Sequence, residues 1–390
     1  MRVLRMLHDY HRRIRRGHRW AWRNDFEPGT FDGLPAGSVV RLESREGEFL
    51  GLGFANGASH VAVRVMTERD EPVDGALIRE RVRQAVAWRQ VVRRGDETFR
   101  AVYGESDGLP GLAADRYGPV LVLSQSVAGM EPWTDALAAA LDEALHPETI
   151  LLKNTNRLRV LEGLPLEKRL LKGAWDGPVE AVYDGARVLV DCLGGRKTGL
   201  FLDHRENRRL LAGLVRGGET VLDLFSHCGL WAFGALARGA ARAVCVDADA
   251  AAVELGAASA RLNGWADRAA FVQADTLAFL EGETRAFDIV VLDPPAFVKK
   301  KRFLRDGLEL YALANAAALR RVAPGGLFVT SSCSSFVDGD ALARAVDEAA
   351  ADQGLRLQLV ATGTQALDHP VLAPMPETRY LKCLFYRRVR

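Results

Sequence analysis

The sequence has no run of about 18 apolar residues, the length a membrane-spanning helix needs. Behind its basic N-terminus there is no apolar stretch of the kind that marks a secretory signal. Its five cysteines show no pairing pattern and no two stand close enough to chelate a metal. That argues against a disulfide framework and a metal site and for thiols in a reducing compartment, so the expectation is a cytoplasmic protein that holds no metal. Repeats and low-complexity segments are missing, apart from alanine-rich stretches that helix propensity explains. Also absent is a Gly-x-Gly-x-x-Gly loop, which the pyrophosphate of a dinucleotide requires. What is present, 390 residues of which 48% are hydrophobic and 26% charged, is a globular composition. Its length is enough for about two to three domains.

A net charge of +2 says little about partners, but the placement of the charges says more. Arg12, Arg13, Arg15, Arg16, Arg19 and Arg23 are interleaved with His18, Trp20 and Trp22. This mixture suits phosphate contacts plus base stacking, and equally a solvated helix face beside two core tryptophans. A second run, Lys299, Lys300, Lys301, Arg302 and Arg305, directly follows Asp293-Pro294-Pro295-Ala296-Phe297. A basic loop beside a strand end points to an anionic polymer as substrate.

Residues 37–42, 48–53 and 60–65 read as short strands separated by turn signals, at the spacing of a small β-barrel. After a charged boundary, 76–94 is helical in pattern, and turn residues alternate with strand-like pieces such as 120–124 to make a middle α/β unit. Residues 185–190 and 197–202, around Gly194-Gly195, are expected to form a hairpin opening the last domain. From Thr220 onward strands and helices alternate, as in a mostly parallel, doubly wound sheet. The expected division is 1–72, 73–184 and 185–390.

Strands in such a sheet bind ligands at their carboxyl ends. The first, Val221-Leu222-Asp223-Leu224-Phe225, turns through Ser226-His227-Cys228-Gly229 into a helix; Asp247 ends the second strand and Asp275 follows the third. A nucleoside without phosphates fits this pattern, and S-adenosylmethionine is such a molecule. Asp247 would take its ribose hydroxyls, Asp223 and the backbone of 226–229 its amino-acid end, and Asp275 its adenine amine. Each aspartate alone could be a helix cap; three at successive strand ends are poorly explained that way. The fourth strand ends in Asp293-Pro294-Pro295 and the fifth in Ser331-Ser332-Cys333. A thiolate adding to C6 of a pyrimidine makes C5 nucleophilic, so a cysteine beside a methyl donor suits carbon methylation. Asp293 could hydrogen-bond or protonate N3, and Phe297 could face the base. Cys192, Cys245 and Cys383 lie in strand-like contexts and read as small buried hydrophobes.

These residues resemble the PUA-containing family of 23S rRNA (cytosine-5)-methyltransferases over nearly the whole chain. The likeness rests on Arg16-Gly17-His18-Arg19-Trp20, on Glu105-Ser106-Asp107-Gly108-Leu109-Pro110-Gly111-Leu112 with Asp115-Arg116-Tyr117-Gly118, and on the stretch from Lys197-Thr198-Gly199-Leu200-Phe201 to Asp203-His204-Arg205-Glu206-Asn207-Arg208. Asp293-Pro294-Pro295-x-Phe297, Ser332-Cys333-Ser334 and Asp368-His369-Pro370 complete it. The resemblance implies an α/β protein with a PUA-like barrel, a small middle domain and a Rossmann-like methyltransferase sheet. It implies Cys333 as nucleophile with Asp293 as its partner. Asp223, Phe225, Ser226, Gly229, Asp247, Asp275 and Asp293 would line the S-adenosylmethionine pocket, with Lys197 and Phe201 nearby. Arg16, Arg19, Trp20, Phe297, Lys299, Lys300, Lys301 and Arg302 would meet 23S rRNA, free or in a partly assembled large subunit, and the protein could act as a homodimer. Leu200 and His204 depart from the residues relatives often carry. Pro295-Ala296 stands where other RNA cytosine-5 methyltransferases have a Pro-Cys pair. Two rival readings are a methyltransferase acting on an exocyclic purine amine, for which a thiol has no use, and a noncatalytic RNA-binding assembly factor.

Overall fold

Asp184 and Gly185 both adopt left-handed backbone, φ 50° and 83°, in a two-residue turn between strands Val179–Tyr183 and Ala186–Val190. An Asp-Gly pair is the strongest short hairpin signal, because a turn of this hand matches strand twist. This hairpin replaces the expected one. Residues 197–202 form turns and not a strand, with Lys197 at φ 50° and Gly199 at φ 148°.

The computed structural model describes residues 1–7 and 10–389. The chain divides into two compact units. The first comprises Met1–Val179, Asp191–Phe201 and Leu367–Thr378, and the second Glu180–Val190, Leu202–Ala366 and Arg379–Arg390. Among the described residues no helix is long and apolar enough to cross a membrane.

The first unit holds two five-stranded sheets. One is ordered Arg2–Arg5, Ser38–Glu43, Phe49–Ala55, Val61–Thr67, Trp20–Trp22, around a core of Leu4, Ile14, Val40, Leu42, Val63 and Val65. The strands expected near 37–66 are therefore present. In the other the order is Glu167–Lys172, Thr149–Asn154, Val120–Gln125, Leu112–Tyr117, Thr98–Tyr103. Its core includes residues of helices Gly75–Val92 and Thr134–Leu145. Asp74 caps the former helix through Ala76 and Leu77 N–H. Several motif residues act as internal pegs here. Arg89 pairs with Asp107 at 2.7 Å, Arg100 with Asp115 at 2.7 Å, and Asp368 accepts from Arg93 at 3.1 Å and from Arg100 N–H at 3.0 Å.

The second unit is built on seven strands: β1 Thr220–Leu224, β2 Arg242–Asp247, β3 Ala269–Gln273, β4 Phe287–Leu292, β5 Val322–Ser332, β6 Leu357–Gly363 and β7 Lys382–Arg388. They are ordered β3-β2-β1-β4-β5-β7-β6. The first five are parallel, and β7 is antiparallel to both neighbours. Intervening helices are α1 Leu230–Ala237, α2 Ala250–Leu262, α3 Thr276–Gly282, α4 Leu304–Leu319 and α5 Gly339–Ala351. Parallel strands covered on both faces must be apolar throughout. Leu222, Leu224, Val246, Val290, Leu292 and Phe328 are accordingly fully buried. Strand order reverses between β1 and β4, which opens a crevice above their carboxyl ends.

Candidate active site

Beyond β1 the chain makes a strained turn: Phe225 and His227 have φ of 57° and 51°, and Gly229 has 83°. Left-handed backbone at a non-glycine residue costs about 1 kcal/mol or more and persists only where the surroundings hold it. Asp247 does the holding. Its Oδ2 accepts from His227 N–H at 2.8 Å and its Oδ1 from Asp249 N–H at 2.9 Å. Each carboxylate oxygen keeps a second lone pair for a hydroxyl. A Cβ at Gly229 would lie 2.9 Å from the Phe271 ring, so only glycine fits there.

Asp223 is fully buried beneath this turn. Its Oδ2 accepts from Ala232 N–H at 3.2 Å, whereas Oδ1 has no hydrogen-bond partner among the described residues, and neither has Ser226 Oγ. Burial pushes the Asp223 carboxyl well above the usual range, and the carboxylates of Asp293 and Asp247 push the same way against Ala232 N–H and Arg208. An orphaned buried polar atom costs about 1–3 kcal/mol, a cost that a polar ligand at this strand end relieves. Asp275 is exposed and caps α3, accepting from Leu277 and Ala278 N–H at 3.0 Å each. The capping role that each aspartate alone could serve is thus seen at Asp275. Next to it, Thr276 Oγ1 is buried without a partner among the described residues.

Asp293 follows β4 and is gripped on both oxygens. Trp231 Nε1 donates to Oδ2 at 3.0 Å, Ser331 Oγ donates to Oδ1, and His204 Nε2 lies 3.2 Å from Oδ1. Burial alone would raise its pKa. His204, Ser331 and Trp231 outweigh that and bring it down to about 2. His204, Trp231 and Ser331 were not singled out as ligands of Asp293 in the sequence, because they come from three distant segments. The one available signal was that His204 departs from the residue relatives often carry.

Cys333 emerges directly after β5, whose residue Thr330 is level with Leu292 of β4. The thiol and Asp293 therefore occupy adjacent strand ends, and Cys333 is half-buried while the other four cysteines are buried. Burial raises the thiols of Cys192 and Cys228 to about 12 and those of Cys245 and Cys383 well above the ordinary value. In the loop after Asp293, Pro294 is buried and Phe297 packs 4.8 Å from Tyr311 and 6.4 Å from Phe225, ring to ring.

The basic residues divide. Lys299, Lys300, Lys301 and Arg302 are exposed, and the last two line a groove of about 570 Å³ with Arg305, Leu308 and Arg344, between α4 and α5. In the first unit Arg16 is exposed, but Arg19 pairs with Glu68 at 3.2 Å. Trp20 gives its indole N–H to Glu105 at 2.8 Å and lies under Arg64. Arg19 and Trp20 are thus half-buried and each holds a partner within the first unit. Lys197 and Phe201 also belong to the first unit, the ammonium 4.4 Å from the ring centroid.

The unpartnered Asp223 and Ser226 oxygens, with Asp247 beside the glycine turn, fit the amino-acid and ribose parts of S-adenosylmethionine. Residues 4–68 match the family described as PUA-like domain, and residues 161–362 that described as S-adenosylmethionine-dependent methyltransferase. The chain is 35% identical over 357 residues to ribosomal RNA large subunit methyltransferase I of Cronobacter sakazakii, 89% of each chain. To the protein of that name from Shewanella denitrificans it is 33% identical over 384 residues, 96% of each. It shares its fold with SMU.776, solved in complex with SAH, at TM-score 0.85 and 18% identity, covering 99% of this chain and 100% of that one. With its PUA-like domain and its methyltransferase sheet, the chain belongs to the S-adenosylmethionine-dependent methyltransferases, in the family of ribosomal RNA large subunit methyltransferase I.

Proposed function

We propose that this chain methylates C5 of a specific cytidine in 23S ribosomal RNA through a transient bond between Cys333 Sγ and C6 of the base. The observation that carries the reading is the half-buried Cys333 thiol at the end of β5, one strand from the anionic Asp293. Sγ adds to C6, and the electron pair of the C5–C6 double bond moves into the C4–N3 system. N3 takes up a proton from solvent as that electron density arrives. Asp293, held ionised by His204, Ser331 and Trp231, acts as an acceptor: it holds N3–H and the exocyclic amine and stabilises the positive charge they gain when C5 gives its electrons to the methyl group. Bound S-adenosylmethionine supplies an electrophilic methyl group. C5 takes that methyl with S-adenosylhomocysteine as the leaving group, the C5 and N3 protons pass to solvent, and the C6–S bond breaks to return the thiolate.

Substrate class is supported by the relatives, which carry ribosomal RNA of the large subunit in their name, and by the PUA-like domain. The exposed 299–302 run, which follows Asp293 in the chain, adds charge suited to phosphate. Asp223, Ser226 and Asp247 would hold the cofactor as described above. Mass-spectrometric mapping of 23S rRNA from a deletion strain against wild type tests the proposal. Loss of one 5-methylcytidine is the expected result; loss of an N-methylated purine would assign the chemistry to an exocyclic amine instead.

A further inference from the structure

Strands β5 and β7 run antiparallel with Ser331 opposite Cys383 and Ser332 opposite Lys382. That register sets Lys382 at the strand end from which Cys333 emerges. The half-buried ammonium is tied down there: Nζ donates to the carbonyl of Ser334, the residue after Cys333, and to that of Tyr380 at 2.8 Å. Two of its three N–H bonds are thus spent on fixing its position. The turn bearing the thiol is equally fixed. Ser334 Oγ donates to Val298 O at 2.6 Å, Ser334 N–H reaches Ser332 Oγ at 3.2 Å, and Ser332 Oγ donates to Tyr311 OH at 2.8 Å.

Among the described residues, charged and titratable groups around this turn include four from different segments. Asp293 follows β4, Tyr311 lies on α4, Asp338 caps α5 and Lys382 opens β7. Asp293 and Asp338 disfavour a thiolate, and Lys382 favours it. Burial lowers the Lys382 ammonium to about 8 while Cys333 and Asp338 pull it back up. Such coupling is reciprocal, so a cation that gains from a neighbouring thiolate stabilises that thiolate equally.

We propose that Lys382 is a positioning residue whose ammonium, anchored on the Ser334 and Tyr380 carbonyls, holds Cys333 as the thiolate; this rests on the reading of Cys333 as the nucleophile. The S–H proton passes to solvent. Lys382 acts on the sulfur and not on the base, which distinguishes it from Asp293.

The test is the rate of iodoacetamide alkylation at Cys333 in the full-length protein, followed against pH by peptide mass spectrometry. The four buried thiols do not compete. In wild type the midpoint of the rate profile is expected below the ordinary thiol value of about 8.5. Lys382→Met should move it upward and slow alkylation at pH 7 by about tenfold, the effect of one nearby charge, and Lys382→Arg should restore both. S-adenosylmethionine titration checks that the variants are folded; should the methionine variant fail that check, the wild-type midpoint and the arginine variant decide. Matching profiles in wild type and Lys382→Met, or a wild-type midpoint at or above the ordinary value, would overturn the proposal. RNA containing 5-fluorocytidine is offered to the same preparations. A Lys382-dependent profile without a covalent adduct supports the Lys382–Cys333 pair and counts against the cytosine-5 reading, so the two failures are told apart.

Discussion

Trp231 Nε1 donates to Asp293 Oδ2 at 3.0 Å, so an indole on the helix after β1 fixes the carboxylate that follows β4. The bond ties the helix that follows Asp223 of β1 and the Ser226–Gly229 turn to the residue expected to meet the base. With His204 and Ser331 on the other oxygen, Asp293 is oriented before any substrate arrives, and orientation paid for in folding is not paid for again in the reaction.

This arrangement has a pH signature. Asp293 is held at about 2, below the ordinary 3.8. A depressed carboxyl contributes stability that is complete above the unfolded value and is lost as pH falls through the folded one. The contribution, about 2 kcal/mol, should therefore disappear between about pH 4 and pH 2. In His204→Ala it is smaller, so urea unfolding midpoints should fall less steeply over that window than in wild type. Parallel declines would contradict the role given to His204.

Asp223 titrates in the opposite sense. Burial raises it, so the neutral form persists to higher pH than for an ordinary aspartate. Ionised Asp223 is the form suited to an ammonium, so calorimetric affinity for S-adenosylmethionine should rise with pH above the ordinary carboxylate range. Asp223→Asn should lower the affinity by about tenfold or more and flatten that rise. An unchanged affinity would remove Asp223 from the cofactor site.

At Gly229, alanine would meet the Phe271 ring at 2.9 Å with φ held at 83°. Gly229→Ala should cost about 1–3 kcal/mol of stability in thermal or urea unfolding and weaken cofactor binding. Wild-type stability in this variant would show that the turn relaxes freely.

Replacing Lys299, Lys300, Lys301 and Arg302 by glutamine should weaken RNA binding and reduce the slope of log affinity against log salt by about one for each phosphate that is no longer neutralised, with cofactor affinity unchanged. An unaltered slope would assign these exposed side chains to solvated surface.

The alternation of β1 to β5 with helices was legible because buried parallel strands are near-continuous apolar runs, and the strand ends then located Asp223, Asp247, Asp293 and Cys333. The hairpin turns at Asp184-Gly185, whose two left-handed residues match strand twist, and not at Gly194-Gly195 as the glycine pair suggests. The roles of His204, Trp231, Ser331 and Lys382 are not legible in the sequence for a different reason. Each acts on a residue brought to it only by sheet order or strand register, and one-dimensional spacing does not encode that. Arg19 and Trp20 show the converse: within a basic-aromatic stretch whose composition suits RNA, these two half-buried side chains also bond to Glu68 and Glu105. Asp275, likewise, shows its helix-capping bonds plainly.

The central claim is the bond from Cys333 to the pyrimidine, and intact-protein mass spectrometry after incubation with S-adenosylmethionine and ribosomal RNA containing 5-fluorocytidine reads it directly. A covalent RNA adduct on wild type, mapping to Cys333 and absent from Cys333→Ala, is the predicted result. Full methyl transfer by Cys333→Ala on unmodified RNA, with no adduct on wild type, would contradict it.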